Sequence, residues 1–237
     1  MDSRVVAIVS GGMDSVTLAH QLAQDGHDLH LVTFDYGQRH GSREMAMAAL
    51  AATRLGADHS IIEMPDLRKL IGTSSLTSSH IDVPDGHYAE DTMKATVVPN
   101  RNMMMLSIAG AVAIAEEAEF VATGTHAGDH FIYPDCRPEF IAAASAALLV
   151  GNTGFSSPGF RGIVAPFIHS TKADICATGD VLGVPWDATW SCYKGGAIHC
   201  GRCGTCVERA EAFDLAGVDD PTEYEDATFW RQAVANA

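Results

Sequence analysis

One short segment constrains this chain more than any other, a glycine turn between an apolar strand and a helix. The run Val5–Val9 is apolar and largely β-branched, and it leads directly into the hexapeptide S-G-G-M-D-S at positions 10–15. The segment Ser15–Gln24 then repeats its apolar residues with helical spacing. Free backbone N–H groups at such a helix start, together with the helix dipole, favour an anion. The sequence therefore predicts a phosphate-binding loop.

Two other ATP-binding loops are excluded, because no Gly-Lys dipeptide exists and no G-x-G-x-x-G follows a strand. The alternative to phosphate binding is a plain strand-to-helix turn, since Ser, Gly and Asp all favour turns. An acidic residue is unusual beside phosphate unless it caps the helix or helps to hold Mg²⁺. The predicted ATP-binding residues of the loop are Ser10, Gly11, Gly12, Met13, Asp14 and Ser15.

The alternation of apolar runs and helical patterns predicts an α/β fold. Further strands are expected at Leu29–Phe34, Ser60–Met64, Phe120–Thr123 and Ile163–Ala165. Further helices are expected at Ser42–Leu55, Asn102–Glu117, Glu139–Val150 and Ser170–Leu182, with shorter ones from Glu208 onward. The polar stretch Asp66–Val97 is expected to be irregular, with one short helix. This order predicts a Rossmann-like, doubly wound parallel sheet, which binds ligands at the carboxyl ends of its strands.

Four cysteines near the C-terminus predict a metal centre. Cys192, Cys200, Cys203 and Cys206 fall within fifteen residues, and two C-x-x-C steps share glycines that allow tight turns. Four thiolates match a closed, structural Zn²⁺ site, one ion per chain, with no open position for catalysis. His199 neighbours the cluster and is expected to lie beside the ligands. We expect an ATP-binding domain at residues 1–187 and a zinc-binding segment at residues 188–237.

Composition points to small molecules as partners. Apolar residues make up 47% of the chain and charged residues 19%, so a sizeable core is expected. The net charge is −15 and no Lys/Arg run exists, which counts against direct nucleic-acid binding. No apolar run was found that reaches the roughly 18 residues of a membrane span, and no signal peptide is recognisable. A cytoplasmic protein without membrane contact is the expectation.

The loop matches the S-G-G-x-D-S loop of ATP pyrophosphatase-like synthetases, and further segments narrow the resemblance. In chain order they are D-Y-G-Q-R-H at 35–40 with Glu44, V-P-N-R-N at 98–102, Y-P-D-C-R-P-E-F at 133–140, Pro166 with Lys172 and Asp174, and T-W-S-C-Y at 189–193. Together they resemble the 7-cyano-7-deazaguanine synthase family over nearly the whole chain. One departure is H-F-I at 130–132, where the family usually has Y-S-G.

The resemblance implies an adenine-nucleotide α-hydrolase-like fold, a homodimer, and a carbon–nitrogen ligase that uses 7-carboxy-7-deazaguanine, ammonia and ATP with Mg²⁺. ATP would be cleaved between its α- and β-phosphates, first to activate the carboxylate and then to activate the amide. The implied catalytic residues are Asp14, Ser15, Arg101 and Lys172, and Asp35 and Tyr36 would meet the adenosine. The implied substrate-binding residues are Arg101, Asp135, Arg137 and Glu139.

Each of these roles has a plainer alternative. Asp135, Arg137 and Glu139 also fit a surface turn with a local ion pair. Lys172 also fits an exposed helix lysine, and Arg101 an ordinary residue at a helix start. Three other functions stay open at this point: a tRNA sulfur-transferase, a non-catalytic nucleotide-binding zinc module, and a family variant that stops at the amide or serves DNA modification.

Overall fold

A single parallel sheet organises the chain, of which the computed structural model describes residues 3–88 and 91–237. The strand order is β3-β2-β1-β4-β5, and every pair of neighbours is parallel. The strands are β1 (Arg4–Ile8), β2 (Asp28–Asp35), β3 (Asp58–Glu63), β4 (Phe120–Ala122) and β5 (Ile163–Val164). All five predicted strands are present, with small shifts at their ends, so the predicted fold class is confirmed.

Helices cover both faces of this sheet. They are α1 (Met13–Gln24), α2 (Gly41–Leu55), α3 (Leu67–Leu70), α4 (Arg101–Ala115), α5 (Pro138–Gly151), α6 (Lys172–Val181), α7 (Gly204–Ala216) and α8 (Phe229–Ala235). Val5 and Ala7 of β1 pack in one core with α1, α2, α6 and α7, whereas Val6 packs with α4 and α5 in the other. Burial on both faces explains why the strand is continuously apolar.

The helix ends follow local backbone chemistry. Thr171 caps α6, because its side chain accepts from the N–H of Asp174 while the Asp174 carboxylate accepts from the N–H of Thr171. α4 stops before the predicted end, since Glu117 adopts a left-handed backbone with φ 55°. The expectation that the C-terminal helix starts at Glu208 was wrong. α7 begins at Gly204, inside the cysteine cluster, with Cys203 at its N-cap.

One stretch, Met93–Ala115, is long and apolar enough by length and composition to cross a membrane, and 28% of its apolar window is buried. The sequence analysis expected no such stretch, because it considered only apolar runs. Met93–Ala115 passes the test of length and composition although it includes Lys94 and Arg101. Within it, α4 packs on β1 and β4 through Leu106 and Ala109. A core helix of a globular domain passes the same test, so the finding is weak support for a membrane span.

The predicted excursion Asp66–Val97 is irregular apart from α3 and a 3-10 turn at Asp91–Thr96. Residues 89–90 of this excursion lie outside the described part. It returns to the C-terminal segment, where Asp85 forms an isolated bridge with Cys203. The strand order reverses between β1 and β4, so a crevice opens where these strands end. The glycine loop follows β1, and Thr123, Gly124 and Thr125 follow β4. The proposed boundary at residue 187 stays a prediction.

Candidate active site and metal centre

The glycine loop is held in shape by its own serines and by the C-terminal segment. Gly11 has φ +83°, and a Cβ there would lie 2.6 Å from the Glu44 carbonyl oxygen, so only glycine fits. The hydroxyl of Ser15 donates to the Gly12 carbonyl at 3.1 Å and accepts from the Ser10 N–H at 3.2 Å. The N–H of Trp190 donates to the Gly11 carbonyl at 2.9 Å. The predicted loop is therefore a fixed turn at the start of α1.

A cavity of about 210 Å³ opens beside this loop. At one end it is lined by the loop, by the turn after β4 and by Lys172; at the other end lie aromatic and charged side chains. Of the predicted site residues, those that line it are Ser10, Gly12, Met13, Asp14, Ser15, Tyr36, Arg101 and Lys172. The sequence thus identified much of the wall of one continuous cavity.

The charged end of the cavity centres on Lys172. Its Nζ lies 2.9 Å from Oδ2 of Asp14, 3.0 Å from Oε2 of Glu208 and 3.3 Å from Nε2 of His126. Burial alone would lower the pKa of Lys172, but the Asp14 and Glu208 carboxylates raise it. Burial alone would raise the pKa of Asp14, but Lys172 and His126 hold it below its ordinary value. The pair is therefore ionised, with its positive charge beside the loop.

Two buried carboxylate oxygens in this cluster have no hydrogen-bond partner among the described residues, Oδ1 of Asp14 and Oε2 of Glu208. The Glu208 oxygen meets Lys172 as an ion pair without hydrogen-bond alignment. Nδ1 of His126 accepts from the Gly128 N–H at 3.1 Å, so the ring Nε2 faces the cluster. It lies 3.6 Å from Oδ2 of Asp129. Buried oxygens without donors are where a cation or a ligand donor is expected.

The other end of the cavity is aromatic. Tyr36, Tyr88 and Tyr193 line it together with Arg101 and Glu44. The hydroxyl of Tyr88 donates to Oδ1 of Asp129 at 3.1 Å. Burial raises the pKa of Tyr36 to about 12, so it stays a neutral phenol. Burial would raise the pKa of Glu44, but the nearby His40 lowers it, leaving a carboxylate close to the Arg101 guanidinium. This end suits a flat polar ring with an anionic substituent.

Five predicted residues are not part of the cavity wall. They are Gly11, whose place in the turn is described above, and Asp35, Asp135, Arg137 and Glu139. Asp35 closes its own turn by accepting from the Gly37 N–H at 3.0 Å. Asp135 accepts from the backbone N–H of Asn102, at the start of α4. Arg137 is exposed and donates to the His130 carbonyl at 2.9 Å, and Glu139 is exposed in the first turn of α5. Their predicted contacts with adenosine or substrate stay predictions.

Sequence reasoning missed several residues that shape the cavity. Glu44 was noticed only as part of a motif, and Tyr88, Asp129 and Tyr193 were given no role. Cys136 also lines the cavity, and His126 flanks it. The one local signal for Tyr193 is its position next to Cys192. Tyr88 carries no such signal, because the irregular excursion brings it in from far along the chain.

The four predicted metal ligands converge. Their Sγ atoms lie within 4.8 Å of one another, and all four cysteines are buried. The backbone N–H groups of Arg202 and Cys203 donate to the Cys200 sulfur at 3.4 and 3.3 Å, which favours a thiolate. Hydrogen bonding, first from Cys192, lowers the pKa of Cys200. A closed set of four sulfurs fits a tetrahedral ion such as Zn²⁺.

His199 lies beside this centre but is not one of its ligands. Its Nε2 accepts from the Ser191 N–H at 3.0 Å, and its ring lies 4.2 Å from the Trp190 ring. Desolvation lowers the pKa of His199 to about 4, so the ring is neutral. The adjacent turn needs a glycine, because a Cβ on Gly201 would lie 1.9 Å from the Asp226 carbonyl oxygen. His199 thus supports Trp190, which closes on the glycine loop.

A buried arginine ties the metal segment to the rest of the site. Arg209 is fully buried and donates to Thr189 at 2.7 Å, to the Trp186 carbonyl at 3.1 Å and to Asp220 at 3.0 Å. These hydrogen bonds fix the loop segment that carries Trp190. Helix α7 also carries Cys206 and Glu208. The cysteine cluster and the charged end of the cavity therefore share one helix.

A family comparison agrees with this geometry. A protein-family model described as queuosine biosynthesis protein QueC matches residues 4–217. The chain belongs to the QueC family. The family predicted from the sequence is confirmed, and with it the prediction that the chain is an enzyme.

Two curated relatives of this QueC chain match over almost their full length. 7-Cyano-7-deazaguanine synthase 1 of Mesorhizobium japonicum is 54% identical over 229 residues, 97% of each chain. 7-Cyano-7-deazaguanine synthase of Paracoccus denitrificans is 53% identical over 232 residues, 98% of this chain and 97% of the relative. Among solved structures, NMN synthetase from Francisella tularensis aligns over 92% of this chain and 78% of its own, with TM-score 0.48 and 14% identity. That likeness is too low to bear on function.

The metal centre generates a direct prediction. Purified protein should contain close to one zinc per chain, and Cys203→Ser should lower this content strongly, because the ligand set then falls from four thiolates to three. Elemental analysis of the two proteins measures it. Cys176→Ala is the matched control, since Cys176 is equally buried but lies in the sheet core. Equal metal content in wild type and Cys203→Ser would contradict the assignment.

Proposed function

We propose that this chain makes 7-cyano-7-deazaguanine from 7-carboxy-7-deazaguanine and ammonia, at the expense of ATP. The observation that carries the proposal is the single cavity that joins a glycine loop with a lysine to an aromatic end with an arginine. The first part suits a polyphosphate and the second a flat carboxylate. The full-length similarity to curated 7-cyano-7-deazaguanine synthases supports the same assignment.

The chemistry needs two activations at one place. A carboxylate resists ammonia because its charge repels nucleophiles and oxide is a poor leaving group. Attack of a carboxylate oxygen on the α-phosphorus gives the acyl adenylate and pyrophosphate, and ammonia then displaces AMP to form the amide. Attack of the amide oxygen on a second ATP repeats the activation, and loss of AMP leaves the nitrile. Two ATP are consumed for each nitrile.

The phosphate end provides what the leaving pyrophosphate requires. The turn at Gly11 and Gly12 leads into the start of α1, and Gly12 and Met13 line the cavity there. The partial positive charge at a helix start favours an anion. The Lys172 ammonium lies beside the loop and would offset the negative charge that grows on the departing oxygen. Both groups are fixed before ATP arrives, by Trp190 and by the Asp14 and Glu208 carboxylates. This preorganisation is the main catalytic contribution we assign to the chain.

The substrate end supplies orientation. Arg101 lines the cavity with the aromatic side chains, and its guanidinium lies 5.8 Å from the Tyr133 ring. A guanidinium forms a paired contact with a carboxylate. The neutral phenols of Tyr36 and Tyr193 offer flat surfaces and hydroxyl groups to a ring. Glu44 presents a carboxylate that can accept from ring N–H groups. We place the deazaguanine ring here, with its carboxylate toward the loop.

Two metal ions fit the donor atoms present. The buried Oδ1 of Asp14, which has no partner among the described residues, is a hard oxygen ligand beside the polyphosphate, as Mg²⁺ prefers. Mg²⁺ would supply charge neutralisation of the phosphates when bound with ATP. The four cysteine sulfurs would hold Zn²⁺ in a structural role, because they leave no open coordination position. Asp14 and the cysteines belong to separate centres. Helix α7 links them, because it carries Cys206 and also Glu208, which shares the Lys172 ammonium with Asp14.

The other functions predict different observations. A tRNA sulfur-transferase requires an RNA-binding surface, and a net charge of −15 opposes one. A non-catalytic module would bind ATP without forming AMP. A variant that stops at the amide would consume one ATP for each product.

Ile132, part of the H-F-I departure, is buried beside Tyr133 in a small cluster, so the departure changes how that wall is packed.

The decisive assay uses purified protein with ATP, Mg²⁺, ammonium and 7-carboxy-7-deazaguanine. Mass spectrometry should detect the nitrile, and nucleotide analysis should find two AMP and two pyrophosphate for each nitrile formed. Release of ADP and phosphate would contradict attack at the α-phosphorus. Accumulation of the amide with a single AMP would favour the variant that stops halfway.

The two candidate arginines can be separated by kinetics. Arg101→Gln should raise the KM for the carboxylate substrate about tenfold or more, because a charged hydrogen bond contributes roughly 1.5–3 kcal/mol. Arg137→Gln is the matched control, since the structure places Arg137 on the surface with the His130 carbonyl as its partner. Its KM should stay within about threefold of wild type on the usual scale of surface substitutions. The reverse order of effects would instead support the sequence prediction for Arg137.

We also propose that two copies of the chain pair through α4 and α5. Helix α5 and the loop after it carry no charged residue from Phe140 to Phe160, although the whole chain has a net charge of −15. Val150 and Phe155 are 76% and 84% exposed. A groove between α4 and α5 is lined by small and apolar side chains. Two like-charged chains meet most easily through such an uncharged face.

Light scattering on the purified protein at micromolar concentration should give twice the mass of one chain. Ala147→Glu places a charge in the groove and should shift the mass to that of one chain. Gln24→Glu, at an exposed position of α1 on the other face, should leave it unchanged. A wild type with the mass of a single chain would refute the pairing.

A further inference from the structure

Glu208 belongs by position to the metal segment, yet its carboxylate reaches the phosphate end. It lies on α7 two residues after the ligand Cys206, and its Oε2 is 3.0 Å from Nζ of Lys172. Oδ2 of Asp14, at the start of α1, lies 2.9 Å from the same Nζ. The side chains of Lys172 and Glu208 are only 14% and 11% exposed. The buried ammonium of Lys172 therefore connects α1, which follows the glycine loop, with α7, which begins in the cysteine cluster.

A carboxylate at this place is costly. Asp14 and Asp129 already bring negative charge to the cluster, and a polyphosphate would add more. Burying a third carboxylate is unfavourable unless it is paired, and an apolar side chain would fill the space without that cost. Packing alone therefore does not account for Glu208, whereas a partnership with Lys172 does.

The backbone around Glu208 is well suited to hold another group in place. Cys206 precedes it in the cysteine cluster, and Arg209 follows it with four bonded partners and no exposed surface. Lys172, in contrast, reaches the cluster through a long flexible stem from the first turn of α6. Ordering such a side chain costs rotamer entropy. Fixed carboxylates on two sides restrict where its ammonium can lie.

We propose that Glu208 is a positioning residue, which holds the Lys172 ammonium beside the glycine loop so that the metal-bearing helix sets the geometry of the phosphate site. This inference rests on the proposed function, in which Lys172 offsets charge on the departing pyrophosphate. Glu208 does not itself touch the reacting atoms. It acts through Lys172, and that dependence separates it from a residue needed only for folding.

The first test observes Lys172 directly and requires no catalysis. The chain has four lysines, Lys69, Lys94, Lys172 and Lys194. In ¹H–¹⁵N spectra at low temperature, a buried and paired ammonium should exchange slowly enough to give a signal, which Lys172→Arg would identify by its loss. Glu208→Gln keeps the shape of the side chain and removes its charge. It should shift this signal or abolish it through faster exchange.

Glu211→Gln is the matched control, because Glu211 lies one turn further along α7 and pairs with His87 at 3.2 Å. The Lys172 signal should be the same in this variant as in wild type. An unchanged Lys172 signal in Glu208→Gln would overturn the proposal. So would an equal disturbance by Glu211→Gln, because the effect would then be a general loosening of α7.

The second test is a double-mutant cycle on pyrophosphate release in single turnovers. Glu208→Gln should lower the rate about tenfold, on the scale of one misplaced electrostatic group, while the KM for ATP stays equal or falls because a negative charge has gone. In a Lys172→Ala background the same change should have no further effect. A second tenfold loss in that background would overturn the proposal. If wild type releases no pyrophosphate, the proposed function fails, and the Lys172 signal alone decides the role of Glu208.

Discussion

The rest of the site depends on how the turn after β1 is held by the far end of the chain. Gly11 has a backbone conformation and a close contact that exclude any side chain, and its carbonyl accepts from the N–H of Trp190. Trp190 is positioned in turn by the bonds of Arg209 and by the ring of His199. The proposed binding of phosphate by this loop requires a fixed turn, and the sheet holds only the strand side of it. The C-terminal segment completes it.

This arrangement gives the cysteine cluster a meaning beyond local folding. The segment at residues 188–237 is too short to build a core of its own, so four sulfurs on a metal would fix the start of α7. The same helix carries Arg209, which fixes Trp190, and Glu208, which meets Lys172. Metal, loop and lysine are linked through bonded contacts. A metal held by these cysteines would therefore affect the proposed nucleotide site without touching a substrate.

The sequence predicted those parts of the molecule that local chemistry decides. The inner strands β1, β2 and β4 could be predicted because burial on both faces requires continuous apolar runs. The loop and the cysteines could be predicted because glycine turns and thiolate spacing have few other uses. The start of α7 was predicted too late because the cysteine cluster was interpreted as loop, whereas the helix begins at Gly204 inside the cluster. Glu208 and Tyr88 were missed because their partners lie far away in sequence: Lys172 is 36 positions before Glu208, and Asp129 is 41 after Tyr88. Nothing local marks such contacts.

The most direct measurement of the central claim is a crystal structure of the protein with an ATP analogue that cannot be cleaved between its α- and β-phosphates. The account predicts that the β- and γ-phosphates accept from the backbone N–H groups of the turn at Gly11 and Gly12, with Lys172 beside them and the α-phosphate facing the aromatic end. Phosphates bound elsewhere, with that turn unoccupied, would contradict it.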